Sequence, residues 1–562
     1  MISQEVRTAE KEIDLSVANL PVWKTKRQVL LTKLMTIWRD GLDSLDRLVT
    51  KATPEGTLSY TYFPTGKVET ITSSNANGAS ISYSYDDLNR LSTVVDNRLS
   101  GNNTTTYSYD PASNLATATY SNGLQSTFTY DPLNRLTAMS TPVSSYTYQL
   151  GPTGNRTVAT EGTGRTMNWT YDGIYRLTNE AITSDPNQVN GSVAYGLDPV
   201  GNRLSDTSSL SGINSSSFSF NADDEVSTEI YDNNGNTLTT GGKSFTYDAE
   251  NHLTGMSVSG TVVSIVDDAF GNRVAKTVNG ATTKYLVEDD VNPTGYPQVW
   301  DELTGSAVTR TYTYGLQRIS QDQAVDGAWT PSFYGYDGGG SVRQLTNSAG
   351  TVTNTYEYDA FGNEVNHTGT TPNNYLYRGE QYDPDLGLYY LRARYYNPAT
   401  GRFLSRDPED GVVTDPATLH KYFYAGGDPV NGSDPTGRYT AVLKPVWGGA
   451  LGEYTGLISA ISLTVRVAVV AVAETCALDY AASQLGYTPA FAFCARKRQC
   501  SCDAKCTSHV IGMPNHGNTG IYFFGSGTAS TCPAAQVNAR RNAEETMPFG
   551  SHAQHCSFQC TE

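Results

Sequence analysis

The stretch STFTYDPLNRLTAM, residues 126–139, contains the pattern that decides the fold. Up to Tyr130 the residues alternate between polar and apolar, which is the two-residue period of a β-strand. Asp-Pro and the following Asn are turn residues, and a second short run that begins with Leu136 follows them. The stretch therefore predicts a β-hairpin whose turn comes directly after Tyr130.

The same pattern recurs at intervals of about twenty residues, a period typical of stacked supersecondary units. Its copies begin at Leu42, Tyr85, Tyr109, Tyr130, Tyr171, Leu197, Tyr231, Tyr247, Asp267 and Tyr358. We expect the hairpins to pair side by side and to form one continuous, coiling β-sheet over residues 42–400, with little helix. Separate β-sandwich modules are the alternative, but whole domains would need a longer spacing.

Composition agrees with such an array. Tyr occurs 37 times against 16 for Phe, and only 17% of the residues are charged. Aromatic residues suit half-buried sheet surfaces, and the many Gly residues suit the turns between strands. A buried Tyr still needs a partner for its hydroxyl group, and we expect the Asp, Asn and Arg of the repeat to provide it.

Charge excludes one class of function for the repeats. The formal net charge is −17, whereas proteins that coat nucleic acid need Lys and Arg for the phosphates. We therefore expect no nucleic acid to bind the repeat region. After Arg438 the chain has eight Lys/Arg and seven Asp/Glu, so the C-terminal region is nearly neutral and the acidity belongs to the repeats.

The two ends of the chain do not follow the repeat. Residues 22–38 have helix-like apolar spacing with a basic face, which predicts a helical segment within residues 1–40. Residues 1–20 lack the apolar core of a secretory signal peptide. Residues 457–473 are apolar, but Arg466 interrupts them, which favours a buried helix over a membrane span.

The segment from Tyr375 to Arg438 includes GLYYLRARYYNPATGRFLSRDP, residues 387–408. It closely resembles the RHS-repeat-associated core domain of the RHS/YD-repeat family. That family includes bacterial polymorphic toxins, the C components of insecticidal toxin complexes and teneurin-like ectodomains. The residues that match the family pattern are Arg394, Tyr395, Tyr396, Gly401, Arg402, Phe403, Asp407, Pro408, Tyr422, Tyr424, Asp434, Pro435 and Gly437.

The resemblance implies a fold and a function. In this family the repeats spiral into a hollow β cocoon, or shell, and the core domain closes one end. A variable segment, often a toxin held inside, follows a motif that here reads Asp434-Pro435-Thr436-Gly437. This predicts a mainly β protein with a shell at residues 41–370, a core domain at 371–438 and an effector-like domain at 439–562. It also implies a bacterial secreted or cell-surface protein.

Some family members cut themselves after this motif by aspartic-protease chemistry, in which two carboxyl groups share one proton. The matching candidate is Asp407, with Asp434 as second acid and Asp415 as its rival. Three departures weigh against cleavage after Arg438. The segment after Asp407 has one residue more than the family pattern, its distance to Asp434 is longer, and Arg438 replaces a large apolar residue. Alternatively, these Asp residues only form turns.

Cysteine marks the C-terminal region as chemically distinct, because all eight Cys lie from Cys476 onward. An even number of Cys in a short secreted domain favours disulfides. A zinc site is the alternative, and zinc would be the one cofactor of the chain. Its candidate ligands are Cys500, Cys502, Cys506, His509, Cys556 and Cys560.

A catalytic C-terminal region is the third interpretation. His509 or His555 could act as general base while Arg540 and Arg541 hold a phosphate, as in a nuclease. Strand-like stretches near Thr507 and Tyr522, with a helix-like stretch at residues 533–547, predict a small α+β fold. No P-loop, G-x-S-x-G or HExxH motif occurs elsewhere.

Two functions remain open. The first is a non-enzymatic shell that carries its own C-terminal effector to another cell, together with secretion components and an immunity protein. The second is a surface protein that adheres to cells or to carbohydrate through exposed tyrosines, with a disulfide-rich cap. They differ in where the tyrosine side chains point.

Overall fold

The computed structural model describes residues 41–99, 103–325, 327–409, 411, 416–438, 441–442, 500–510, 522–529 and 551–561. The chain divides into two compact units, Met1–Gly456 and Leu457–Glu562. The described part of the first unit is almost entirely antiparallel β-structure. Its helical residues are limited to three short 3-10 segments, Tyr377–Gly379, Pro416–Leu419 and Ala425–Gly427. The prediction of a mainly β, repeat-built protein is confirmed.

The first sheet is an antiparallel meander in which each strand pairs with the next one along the chain. Its strands are β1 Gly41–Leu42, β2 Leu48–Thr53, β3 Gly56–Tyr62, β4 Val68–Ser73, β5 Ser80–Tyr85, β6 Leu91–Asp96, β7 Thr104–Tyr109, β8 Leu115–Thr119, β9 Gln125–Tyr130, β10 Leu136–Thr141, β11 Ser144–Leu150, β12 Arg156–Glu161, β13 Thr166–Tyr171, β14 Leu177–Thr183, β15 Gly191–Leu197, β16 Arg203–Ser208 and β17 Ser216–Ser217. Each repeat unit therefore contributes one hairpin to a sheet that grows by local pairing.

The second sheet has the same meander topology. Its strands are β18 Ile230–Tyr231, β19 Thr237–Thr240, β20 Lys243–Tyr247, β21 Leu253–Val258, β22 Thr261–Asp267, β23 Arg273–Val278, β24 Ala281–Glu288, β25 Gln298–Thr304, β26 Ala307–Tyr314, β27 Arg318–Val325, β28 Ala328–Tyr336, β29 Val342–Thr346, β30 Val352–Tyr358 and β31 Glu364–Thr368. The core segment, residues 371–438, adds a small sheet of β32 Gln381–Asp383, β33 Leu388–Leu391, β34 Arg394–Asn397 and β35 Arg402–Phe403. Strand β36 Gly432–Ser433 pairs with β37 Ala441–Val442.

The prediction of one continuous sheet over residues 42–400 is wrong, because the array is interrupted after β17. Strands β17 and β18 have only two residues each, and a single bridge between Phe220 and Val226 lies between them. The sequence SSLSGINSSS, residues 208–217, lacks the alternating apolar residues that hold a strand against a core. The sheet therefore ends there and a second one begins.

The turn of each repeat is built by its Asp. In the hairpin of β9 and β10, Asp131 Oδ1 accepts the backbone N–H of Leu133 at 2.9 Å and of Arg135 at 3.0 Å. Asn134 has φ 59°, a left-handed conformation that Asn and Gly tolerate best. The same pair of backbone bonds forms at Asp43, Asp86, Asp172, Asp248, Asp268 and Asp359. The Asp of the repeat therefore accepts the hydrogen bonds of two backbone N–H groups in its own turn.

The Tyr of each repeat links neighbouring hairpins. Tyr130 donates its hydroxyl proton to the carbonyl of Leu115, the first residue of the preceding hairpin's second strand, at 3.0 Å. The partner is thus a backbone carbonyl, not the Asp, Asn or Arg expected from the sequence. The same bond joins Tyr62 to Leu48, Tyr109 to Leu91, Tyr171 to Arg156, Tyr247 to Thr237, Tyr336 to Arg318 and Tyr358 to Val342.

Buried polar contacts join the two large sheets. Asp301 in β25 is fully buried and accepts hydrogen bonds from Ser73 Oγ at 2.6 Å and from the N–H of Ala79 at 2.9 Å. Arg98 forms an ion pair with Asp322 at 3.1 Å. The partners are more than 200 residues apart in sequence, so no local pattern could have predicted them.

Glu180 in β14 is the most unusual group of this interface. It is 2% exposed, and its Oε2 accepts the N–H of Ala360 in the second sheet at 2.7 Å. Burial, together with the nearby carboxylate of Asp359, raises the pKa of Glu180 to about 7. Glu180 therefore loses its proton near neutral pH. Its negative charge is then buried next to that of Asp359.

We expect the free energy of unfolding to decrease as the pH rises through about 7. A carboxyl group with a raised pKa in the folded state stabilises it fully below its unfolded pKa and loses that contribution above its folded pKa. The contribution of Glu180 is about 3 kcal/mol on the scale of 1.36 kcal/mol per pKa unit. Urea unfolding of wild type and Glu180→Gln at several pH values measures it.

Glu180→Gln should lower stability at low pH and flatten the dependence on pH. The two carboxyl oxygens of Glu180 accept the N–H of Ala360 and the Nε1–H of Trp169, and an amide has a single oxygen, so one of these donors loses its acceptor. Asp267, whose pKa burial also raises to about 7, should leave a residual slope. Glu69→Gln, on the half-exposed face of β4, is the matched control and should keep the wild-type slope. An unchanged slope in Glu180→Gln would contradict this account.

The described part of the second unit is a three-stranded antiparallel sheet. Its strands are β38 Cys500–Val510, β39 Tyr522–Ala529 and β40 Ser551–Thr561, with β38 in the centre. The helices predicted within residues 1–40, 457–473 and 533–547 lie outside the described residues. Among the residues that are described, no helix has the length and apolar character needed to span a membrane.

Candidate functional site

The core segment docks on the last repeat turn of the second sheet. Buried tyrosines donate hydrogen bonds to three consecutive carbonyls of that turn: Tyr377 to Ala360 at 2.8 Å, Tyr396 to Phe361 at 2.8 Å and Tyr389 to Gly362 at 3.0 Å. The rings of Tyr396 and Tyr424 stack with centroids 4.0 Å apart. These tyrosines, of which Tyr396 and Tyr424 match the family pattern, therefore fix the position of the core segment.

The core segment also contacts the first sheet. Arg402, 7% exposed, donates from Nη1 to Asn202 Oδ1 at 2.7 Å and from Nη2 to the carbonyl of Asp224. The carbonyl of Gly235 accepts the hydroxyl proton of Tyr422 at 2.8 Å. The core segment thus holds the two sheets together at the interruption of the array.

Arg394 belongs to β34 and is 3% exposed. It lies beside the Asp-Pro-Thr-Gly motif of residues 434–437, after which the effector-like domain is predicted to begin. Its Nη2 is 2.7 Å from Asp407 Oδ2 and 3.4 Å from Asp434 Oδ2. Its Nη1 donates to the carbonyl of Lys421 at 3.1 Å, and its Nε donates to the carbonyl of Gly437. The two candidate acids therefore meet at one guanidinium group, directly beside residue 438.

This arrangement differs from the acid pair of an aspartic protease. Such a pair shares one proton because two carboxylates face each other without a cation. Here the guanidinium group of Arg394 contacts both Asp407 and Asp434. Burial lowers the pKa of Arg394, an effect that both carboxylates oppose. Asp415 lies outside the described residues.

The Asp-Pro-Thr-Gly motif fixes the backbone at the boundary. Asp434, 3% exposed, accepts the N–H of Arg438 through Oδ1 at 3.0 Å. Gly437 has φ 67°, and a Cβ atom there would lie 2.5 Å from the carbonyl oxygen of Leu391. A larger residue would therefore displace the boundary from β33 and β34. This close approach explains why the motif ends in Gly.

The candidates in the C-terminal unit fall on paired strands. The register places Cys502 opposite Cys560 and His509 opposite His552, and His555 also lies on β40. Cys500 and Cys506 belong to β38 and Cys556 belongs to β40. All the proposed ligands thus share two adjacent strands, while disulfide and zinc both remain predictions. Arg540 and Arg541 lie outside the described residues.

One group of possible metal ligands was missed in the sequence. Asp248, Glu250 and His252 bring one ligand atom each within 4.8 Å of one another in the turn between β20 and β21. Asp248 Oδ2 already lies 3.3 Å from His252 Nδ1, and Asp248 Oδ1 accepts two backbone bonds of the turn. The grouping follows from the repeat turn itself, so it does not indicate a metal.

Sequence reasoning also missed a set of buried arginines. Arg318, 4% exposed, is surrounded by tyrosine rings. Its guanidinium carbon lies 3.2 Å from the ring centroid of Tyr375 and 5.5 Å from that of Tyr312. Buried Arg is rare unless paired, so spacing gives no signal for it. The abundance of Tyr was the one available hint, because Arg stacks on aromatic rings.

Comparison with known families fits this geometry. Residues 153–430 match the family model described as Teneurin YD-shell. This region of the chain belongs to the RHS/YD-repeat family. The matched range begins in the first sheet, includes the whole second sheet and ends in the core segment. It contains the contacts of Tyr396 and the ion pair of Arg394 with Asp407, and it ends before Asp434 and Gly437.

Curated relatives of this RHS/YD-repeat chain include toxins. It is 34% identical over 259 residues to "tRNA nuclease WapA" of Bacillus subtilis (strain 168), covering 44% of this chain and 11% of that protein. It is 43% identical over 61 residues to "Toxin protein Tse5" of Pseudomonas aeruginosa, covering 11% of this chain and 4% of that protein. The chain thus spans a small part of the length of these relatives.

A solved structure shares the fold. The crystal structure of TcdB2-TccC3 aligns with a TM-score of 0.57 at 18% identity, covering 68% of this chain and 22% of that chain. This similarity supports the fold of the repeat sheets as an RHS/YD shell.

Proposed function

We propose that this chain is part of a delivered bacterial toxin and contains both a carrier and an effector. The two sheets and the core segment would form the carrier, and residues after Arg438 would supply the effector. The observation that carries the proposal is the fixed boundary at Asp434–Gly437. Arg394 holds the motif to the core segment through Gly437 and Asp434. The chain that follows therefore starts from a defined point.

The relatives support the same function. One carries the name of a tRNA nuclease and another that of a toxin. A nuclease would suit the proposed roles of His509, His555, Arg540 and Arg541 as base and phosphate ligands. Delivery to another cell would make this chain an exported protein and would require an immunity protein in the producing cell.

The adhesive alternative is less well supported. Stacking on sugars needs exposed aromatic rings, and among the described tyrosines Tyr175 is the one that is largely exposed, at 48%. The repeat tyrosines instead use their rings in packing and their hydroxyl groups in bonds to neighbouring hairpins. The side chains that such a surface would need are therefore already engaged.

Expression inside bacteria tests the proposed function. We expect residues 439–562 alone to stop growth, because an enzyme freed from its carrier reaches its target. Residues 1–438 should have no effect on growth. His509→Ala in the fragment should restore growth if His509 is the base. Normal growth with a well-expressed, soluble fragment would contradict the effector role.

A separate prediction concerns cleavage at the boundary. We expect the purified chain to remain intact between about pH 5 and about 8, because the Arg394 cation contacts both acids that would have to share a proton. Intact mass after prolonged incubation measures this, with Asp407→Asn as the comparison. A wild-type fragment ending near residue 438 that Asp407→Asn does not produce would show that the two acids do act as a protease pair.

A further inference from the structure

A cavity of about 70 Å³, lined by aromatic and charged side chains, lies between the first sheet, the second sheet and the core segment. Four arginines line it: Arg156 and Arg165 from the first sheet, Arg343 from the second sheet and Arg378 from the core segment. One water needs about 10–15 Å³ of such space, so the cavity has room for a larger polar guest. Its charge balance shows which kind.

Two of the arginines are neutralised by acids. Arg343 Nη2 lies 2.8 Å from Glu161 Oε1, and Arg165 Nη1 lies 2.9 Å from the same oxygen. Arg165 Nε is also 2.7 Å from Asp185. These side chains form a closed ion-pair network on one wall, and they need no further anion.

The other two arginines have no such partner. In the part of the chain that the structure describes, neither Arg156 nor Arg378 forms an ion pair with a carboxylate. Arg156 Nη2 donates to the carbonyl of Gly338 at 2.6 Å, and Arg378 Nη1 donates to that of Gly339 at 2.5 Å. Arg378 Nε is buried and has no acceptor. Burying a guanidinium group without an anion is unfavourable.

The acids that line the cavity form no ion pair with either of these arginines. Asp337 acts on both through its charge, but the carboxylate that it places within ion-pair distance of an arginine, at 3.7 Å, lies beside Arg343 Nη1. Glu180 and Asp359 have raised pKa values, in both cases mainly through burial. Burial lowers the pKa of Arg156, and the neighbouring Arg378 cation acts in the same direction. Arg156 and Arg378 therefore line the same cavity as cations without an ion-pair partner among the described residues.

The sequence is adapted to this cavity. The repeat turn there reads YDGGG, where the next turn has Ala360 and Phe361. A Cβ atom on Gly339 would lie 2.3 Å from Arg378 Nη1, and one on Gly338 would lie 2.6 Å from the hydroxyl of Tyr148. A side chain at position 339 would exclude the guanidinium group of Arg378. Gly339 thus allows Arg378 to approach the cavity.

We propose that the cavity binds one small inorganic oxyanion, of the size of phosphate or sulfate, between Arg156 and Arg378. Guanidinium groups bind such oxyanions through paired, charge-assisted hydrogen bonds. The volume of about 70 Å³ admits one tetrahedral ion but no nucleotide. Because Arg156 belongs to the first sheet and Arg378 to the core segment, the bound ion stabilises the docking of the core segment on the first sheet.

Equilibrium dialysis of the full chain with radioactive phosphate tests the proposal. We expect one phosphate per chain, displaced by sulfate but not by chloride at equal ionic strength. Arg378→Gln and Arg156→Gln should each weaken binding about tenfold or more, the effect of losing charge-assisted hydrogen bonds. Arg310→Gln is the matched control. Arg310 forms an ion pair with Glu302 elsewhere in the second sheet, so its loss should leave phosphate binding unchanged.

Thermal unfolding provides a second measurement. Sulfate and phosphate stabilise proteins in general by exclusion from their surface, so the comparison between variants decides. The midpoint should rise more with phosphate in wild type and Arg310→Gln than in Arg378→Gln. Equal binding by Arg378→Gln would indicate an adventitious ion only. Absence of saturable binding to wild type at millimolar phosphate would show that the cavity holds water, and either result would overturn the proposal.

Discussion

Tyr396→Ala should lower the free energy of unfolding by about 3–5 kcal/mol, the range observed when a large buried aromatic side chain is truncated. Tyr396 is fully buried in β34. Its ring stacks on Tyr424, and its hydroxyl group donates to the carbonyl of Phe361 at 2.8 Å. Truncation leaves a cavity between the core segment and the second sheet and removes the donor of that carbonyl.

Urea unfolding of the full chain measures this effect. Tyr396→Phe keeps the ring and loses one hydrogen bond, so it should lose only about 1 kcal/mol. Tyr175→Ala, at an exposed turn position, should change stability by no more than about 0.5 kcal/mol. If Tyr396→Ala were no worse than Tyr175→Ala, the core segment would not be held by its tyrosines.

The local structure of the repeats could be predicted from sequence because it depends on neighbours. The strand before Tyr130, the Asp-built turn and the left-handed Asn134 all involve residues a few positions apart. The interruption at residues 208–217 was also visible in the loss of alternation, yet the repeat before and after it suggested continuity. The first sheet ends where residues 208–217 lose the alternation of apolar residues that the repeats on either side keep.

The long-range part could not be predicted in the same way. The hydroxyl of Tyr130 reaches a backbone carbonyl, and every residue has one, so no residue type marks the partner. Glu180 meets Ala360 across 180 positions of sequence. At the boundary, the resemblance to the family identified Asp407 and Asp434, but it did not show that Arg394 lies between them. Whether two acids share a proton or a cation depends on which side chain the fold brings next to both of them.

Arg394→Gln should lower the free energy of unfolding by about 3–5 kcal/mol at pH 7, because it leaves uncompensated charge in a buried site. Asp407 and Asp434 would then face each other without the cation that contacts both. The carbonyls of Lys421 and Gly437 would also lose their donors. Limited proteolysis should show faster cleavage near residues 434–438, because the boundary is no longer held by β34.

Arg438→Gln is the matched control at the same boundary. Arg438 pairs with Glu409 at 2.9 Å, but both side chains are about 40% exposed, and exposed pairs contribute about 0–1 kcal/mol. Asp407→Asn, added to Arg394→Gln, should recover part of the loss at pH 7, because it removes one of the two carboxylates that Arg394 contacts. A loss that Asp407→Asn does not reduce would mean that Arg394 acts by packing alone.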